Sequence, residues 1–226
     1  MKKIIIKNII TGIITLFIGI STLIVACLYI FQKLPEGTPQ SASAAGVYFF
    51  QYYTSDSNIL VALLSFVVFA FSIKNVVHNR DEMPLWLIAL YVVATTGTTV
   101  TFLTTALYLG PTAAMNDSYY FIMFEGKLFF LHFLTPVLAI ATAIFLLDHH
   151  PLTWKHAILC ISTVVIYSLV YSPLVLSGVW KDFYGFTFGG QLGIAAISLL
   201  VMWGFGLGIG FLLVLFHNLY YRKMHK

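Results

Sequence analysis

Charge is what this chain has least of. Only 9% of its residues are Asp, Glu, Lys or Arg, where a soluble domain carries about 25%. That shortage excludes a water-soluble globular fold. With 60% hydrophobic residues and a mean hydropathy of +0.93, the chain reads as an integral membrane protein. Cysteine is nearly missing too. Cys27 and Cys160 both fall in apolar runs, as small buried hydrophobes, and imply no disulfide framework. No internal repeat and no second domain is visible, so residues 1–226 form one transmembrane domain. The net charge of +4 does not indicate nucleic acid, because the basic residues stand at the ends of apolar runs.

What the chain has is six such runs, at about 8–31, 47–73, 85–109, 126–147, 154–176 and 191–217. Each reaches the roughly 20 residues needed to cross a hydrocarbon core of about 30 Å. Residues 24–27 resemble a lipoprotein cleavage box, yet the first run exceeds a signal-peptide core and continues past Cys27, so a retained helix is expected. Nine basic residues (Lys2, Lys3, Lys7, Lys74, Arg80, Lys155, Arg222, Lys223, Lys226) fall on one side of these spans and three (Lys33, Lys127, Lys181) on the other. The excess of Lys and Arg on cytoplasmic loops then predicts an all-α bundle of six transmembrane helices with both termini cytoplasmic.

Polar residues inside the runs carry the functional signal. Residues 48–61 open the second run yet hold Gln51, Thr54, Ser55, Asp56, Ser57 and Asn58. An Asp at a helix centre costs about 2.5–3.5 kcal/mol on insertion scales. Gln51, Thr54, Ser55, Asn58, Ala62 and Ser65 follow helical spacing and form one small or polar stripe. The fourth run carries a comparable face of His132, Thr135, Pro136 and Ala139. With helices starting near 47 and 126, Thr54 and His132 both lie roughly 10 Å below the outer boundary and could meet. A threonine hydroxyl needs an adjacent base to act as a nucleophile. The pair would suit attack on an ester carbonyl of an amphiphile, with Asn58 one turn deeper donating to the oxyanion. Asp56 lies about 200° around from Thr54, off its face, and is with Asn58 a candidate substrate-binding residue. The sequence identifies no third group to orient His132; Asp56, Glu125 and Asp182 are candidates by residue type alone.

Other readings stay open. A Thr/Ser/Asn stripe also serves as glue between helices, and an intramembrane His also serves as a proton relay. A small transporter or lipid-binding protein using Asp56 and His132 is the alternative to an enzyme. His149, His150 and His156 cluster at a turn without a recognised metal-binding pattern, so neither metal nor cofactor is expected. The threonines of the third run read as an interior packing face. Trp180, Phe183, Tyr184, Phe186 and Phe188 suit a membrane interface. Gly204/Gly208 and Gly206/Gly210 are two pairs that would admit a close neighbouring helix.

Several segments resemble a known family. Phe49-Phe50-x-Tyr52-Tyr53-Thr54-x-x-Ser57-Asn58-Ile-Leu-Val61 looks like the second-helix signature of bacterial six-helix membrane proteins. These are related to the androgen-induced-gene proteins and the androgen-dependent tissue-factor-pathway-inhibitor-regulating proteins of animals. Leu131-His132-Phe-Leu-Thr-Pro136-Val-Leu138 resembles their fourth-helix motif, and Ile166-Tyr167-x-x-x-Tyr171 with Gly178-x-Trp180 the segment that follows. The resemblance implies an intramembrane threonine hydrolase of fatty-acid-type esters, with Thr54 as nucleophile and His132 as its histidine. It also implies a lipid-like substrate and a bacterial cytoplasmic membrane. Two departures bear on the substrate pocket: Tyr184-Gly185-Phe186 stands where relatives tend to have Tyr-Pro-Phe, and Asp56 stands where they tend to be uncharged.

Overall fold

The computed structural model describes residues 2–36, 44–113, 123–185 and 191–226, which leaves Phe186 and Phe188 outside the described residues. Among the described residues no strand forms, and six helices are long and apolar enough to cross a membrane. They are α1 (Lys2–Ile30), α2 (Tyr53–His78), α3 (Leu85–Leu109), α4 (Gly126–Leu146), α5 (Trp154–Leu176) and α6 (Leu192–Met224). Local chemistry sets their ends. Asn79 closes α2 in the left-handed region (φ 51°), its N–H donating to the carbonyls of Asn75 and Val76. Thr153 and His156 cap the start of α5 reciprocally. The α6 helix runs past the expected end at His217, and its 33 residues span about 50 Å, more than a hydrocarbon core requires.

One boundary differs in a way that matters. The second helix begins at Tyr53, because Gly46–Gln51 forms a separate tight turn and Tyr52 is extended (φ −101°, ψ 129°). The break is stable because distant tyrosines serve its backbone. The Tyr167 hydroxyl donates to the Gln51 carbonyl at 2.6 Å, and Tyr53 N–H donates to the Tyr184 hydroxyl at 3.0 Å. Thr54 is therefore the second residue of its helix, and its expected depth inside the helix is corrected accordingly.

The bundle is organised around α3. Of its central stretch 78% is buried, against 22–39% in the other five spans. Thr95, Thr96, Thr98, Thr99, Thr101 and Thr105 are all buried. Several hydroxyls bond back into their own helix, as Thr96 to Val92 at 2.9 Å and Thr99 to Thr95 at 2.7 Å. A polar helix can then be surrounded by neighbours with few unpaired groups. Ser57 meets Thr101 at 3.1 Å across to α2, and Ser65 meets the Tyr91 hydroxyl at 3.3 Å.

Both termini lie at one end of the bundle, with the α2–α3 and α4–α5 turns. There Lys7 pairs with buried Asp148 and reaches Asp81 at 3.8 Å, while His149 Nε2 sits 2.7 Å from Asp81. Partial burial alone would raise the Asp81 carboxyl. The contacts of His149, the Lys7 charge and the Asn8 amide outweigh it and hold the group below the usual carboxylate range. His149, His150 and His156 serve separate contacts: His149 on Asp81, the His150 carbonyl facing His217 Nε2, and His156 on the α5 cap.

Of the two glycine pairs in α6, one packs within the chain. A Cβ on Gly206 would meet Val164 at 3.0 Å, and one on Gly210 would meet Cys160 Cβ at 2.5 Å and the Ala157 carbonyl at 2.9 Å. A Cβ on Gly204 or Gly208 would meet nothing within 4 Å among the described residues outside its own helix. Gly210→Ala is thus expected to destabilise the protein by about 1–3 kcal/mol through overpacking against α5. Gly208→Ala should be neutral or slightly stabilising, because alanine gains about 1 kcal/mol of helix propensity. Thermal unfolding of the two purified variants in detergent checks the contrast.

Candidate functional site

At the end of the bundle away from the termini, the fourth helix widens. Phe130–Leu134 forms a π-type turn in which Thr135 N–H donates to the Phe130 carbonyl. The cause lies one residue further on. Pro136 has no N–H to offer the His132 carbonyl four residues back, and its ring would clash there in a regular helix. The widened turn relieves that clash, as such turns often do at functional sites. It also removes the usual partner of the Leu131 carbonyl, since Thr135 N–H now goes to Phe130.

Asn58 supplies the missing donor. Its side chain is fully buried, and Nδ2 donates to the Leu131 carbonyl at 3.1 Å and to the Thr54 carbonyl at 2.8 Å. Exchanging its amide oxygen and nitrogen would set Oδ1 against two carbonyl oxygens, so the assignment is chemically forced. Asn58 thereby pins the turn carrying His132 to the turn carrying Thr54. Its amide hydrogens are committed to backbone carbonyls, so the expected donation to an oxyanion would require displacing one of them. Oδ1 is left as a buried acceptor with no partner among the described residues.

Thr54 and His132 line one cavity of about 280 Å³, together with Ser55, Tyr29 and an apolar wall of Phe49, Leu109, Leu131 and Phe183. This is near the lower end of small-molecule sites. His132 is buried and Thr54 half-buried. Thr54 also borders a second, narrower cavity of about 40 Å³ walled by Val100, Val164, Leu199 and Met202. Asp56 lines neither cavity. It stands in the first turn of α2, where the partial positive charge of a helix N-terminus favours an anion. Asp182 accepts the Tyr171 hydroxyl at 2.7 Å, and Glu125 is exposed just before α4.

Sequence reasoning named Tyr184 as an interface aromatic and as part of the departing Tyr184-Gly185-Phe186 triplet, but gave its hydroxyl no role. Tyr184 borders both cavities, and its hydroxyl accepts Tyr53 N–H at the start of α2. Burial, partly offset by the Tyr53 N–H and by the polar groups of Thr54 and Tyr167 near the same oxygen, pushes the phenol up to about 12. A signal was present: α2 opens Tyr52-Tyr53-Thr54 without a side-chain cap, so its first N–H groups need an acceptor from elsewhere.

Asn58→Ala removes the donor from two buried carbonyls and is expected to destabilise the protein by about 1–3 kcal/mol. Denaturation in detergent measures this, with Asn58→Gln as a comparison in which the amide is kept but displaced.

No known family model, curated protein or solved structure matches the chain.

Proposed function

We propose that the protein is an intramembrane hydrolase of lipid-like acyl esters, with Thr54 as nucleophile and His132 as general base. The observation that carries this reading is the shared cavity: a hydroxyl and an imidazole from different helices line one largely apolar pocket. A buried His in a membrane span is functional by default. The resemblance of residues 49–61 and 131–138 to intramembrane threonine hydrolases favours the same pair. The alternative path through Asp56 and His132 has less support, since Asp56 lines neither cavity that Thr54 borders.

The chemistry has two halves. Thr54 Oγ1 bonds to the ester carbonyl carbon while His132 takes the hydroxyl proton, giving a tetrahedral oxyanion. Collapse breaks the bond to the alcohol oxygen, which leaves with the proton from His132 and strands the acyl group on Thr54. A water then bonds to the acyl carbon as His132 takes its proton. The second collapse releases the carboxylic acid and returns the proton to Thr54. The excess of basic residues at the termini and adjoining turns would set the site in the outer leaflet, within reach of lipid from the side.

Labelling with a fluorophosphonate probe tests the reading, since the Thr54 oxygen would bond to phosphorus as fluoride leaves. Thr54→Ala should abolish labelling of the chain in membranes. His132→Ala should slow it by about 10²–10⁴-fold, the contribution of a positioned general base. Labelling at equal rates in all three proteins would contradict the proposal.

A further inference from the structure

His217 of α6 is fully buried, and both of its ring nitrogens face backbone carbonyls. Nδ1 lies 2.8 Å from the Ala143 oxygen near the end of α4, and Nε2 lies 2.9 Å from the His150 oxygen in the turn that follows. A carbonyl oxygen has no proton to give, so each nitrogen must be the donor. A neutral imidazole carries one N–H and one bare lone pair, and it can satisfy only one of these contacts. The other would set lone pair against lone pair. Turning the ring over does not help. Carbon would then stand 2.8 and 2.9 Å from the oxygens, well inside the roughly 3.3–3.6 Å of a C–H···O contact. The geometry therefore calls for an imidazolium, with a proton on each nitrogen.

Local structure explains the acceptors. In the π-type turn at Thr142–Leu146, Leu147 N–H donates to the Thr142 carbonyl. In a regular helix that N–H would have served Ala143, whose carbonyl lies in the last turn of α4. The last carbonyls of a helix lack internal partners and carry partial negative charge, which favours a cation beside them. The next residue, Asn218, fastens the same region without any titratable proton. Leu152 N–H donates to its Oδ1 at 2.8 Å, and its Nδ2 donates to the Leu152 carbonyl at 2.7 Å.

We propose that His217 is a proton-operated clamp: as an imidazolium it ties α6 to the end of α4 and to the α4–α5 turn, and loss of the Nε2 proton releases that turn at His150. The two contacts differ in a way that selects the proton. The one to Ala143 is buried, whereas the one to His150 is only partly buried. His150 also lines the open cavity of about 910 Å³ at the end of the bundle that holds the termini. Water there can take the Nε2 proton and then serve the vacated His150 carbonyl, while Nδ1–H stays on Ala143. Release also loosens the polar cluster at this end, since Asp148 and His149 reach Lys7 and Asp81 from the same turn. The clamped form holds one proton more than the released form, so falling pH favours the clamp and rising pH favours release. The titratable and charged groups toward this end on the segments packed against α6 are Tyr91 of α3, Asp148, His149 and His150 of the turn, and Lys155, His156 and Cys160 of α5. Of these, Asp148 is paired with Lys7, His149 with Asp81, and His156 within the α5 cap.

Nitrogen NMR of the histidine-labelled full chain in lipid nanodiscs tests the clamp, with amide hydrogen exchange measured alongside from mildly acid to mildly alkaline pH. At mildly acid pH both ring nitrogens of His217 should carry protons, the signals being assigned by their loss in His217→Gln. As pH rises, Nε2 should lose its proton. In the same step the amides of residues 147–152 should exchange about 10- to 100-fold faster than base catalysis alone explains, the effect of losing a hydrogen bond to a charged group. His217→Gln offers one donor group and no charge, so its turn should exchange at the released rate at every pH. The wild-type titration decides the matter even where that variant fails to fold. A His217 ring with one bare nitrogen at mildly acid pH would overturn the inference. So would a ring that keeps both protons to the alkaline limit of folding, or turn exchange indifferent to its titration.

Discussion

The site depends on one backbone carbonyl that its own helix cannot serve. Pro136 denies a donor to the His132 carbonyl and forces the turn at Phe130–Leu134 to widen, which in turn strips the Leu131 carbonyl of its helical partner. In a membrane interior there is little water to repair such a loss, and an unpaired polar group costs several kcal/mol. Asn58 repairs it from the neighbouring helix while also holding the Thr54 carbonyl. A single amide thus satisfies the widened turn and fixes the spacing between the two helices that carry the proposed chemistry.

The same constraint explains the polar interior. A lipid-embedded bundle gains little from burying apolar surface helix against helix, so packing and hydrogen bonds must hold it together. The α3 threonines bond within their own helix and leave smooth faces for α2, α4, α5 and α6 to pack on, while Gly206 and Gly210 bring α6 close against α5. At the far end, charged groups join α1, the α2–α3 turn and the α4–α5 turn through Lys7, Asp81, Asp148 and His149. The bundle is therefore tied by polar contacts at both ends, and only one of those ends holds the Thr54 cavity.

Six spans were legible in the sequence because apolar runs of the right length have no other stable use. That Thr54 and His132 come to line one cavity follows a route other than the one the sequence suggests. A helix start at Val47 set their common depth, whereas the chain breaks at Tyr52 and restarts at Tyr53. That break could not be read locally, since the hydroxyls that stabilise it belong to Tyr167 and Tyr184, more than a hundred residues away. Asn58 was recognised as part of the stripe but not as a brace, because the carbonyl it serves is exposed only by a proline on another helix. Asp56 drew attention as an acid in a lipid-crossing run. It stands in the first turn of α2, off both cavities that Thr54 borders, where a helix N-terminus favours an anion.

The central claim is that Thr54 becomes acylated, and locating the acyl group tests it most directly. The protein would be mixed with an activated short-chain ester, quenched in acid within the turnover time and digested for peptide mass spectrometry. The account predicts one acyl mass added at Thr54, accumulating as a burst and lost in Thr54→Ala. An acyl group found instead on Ser55, Ser57 or Tyr184, or ester turnover with no acylated residue, would contradict it.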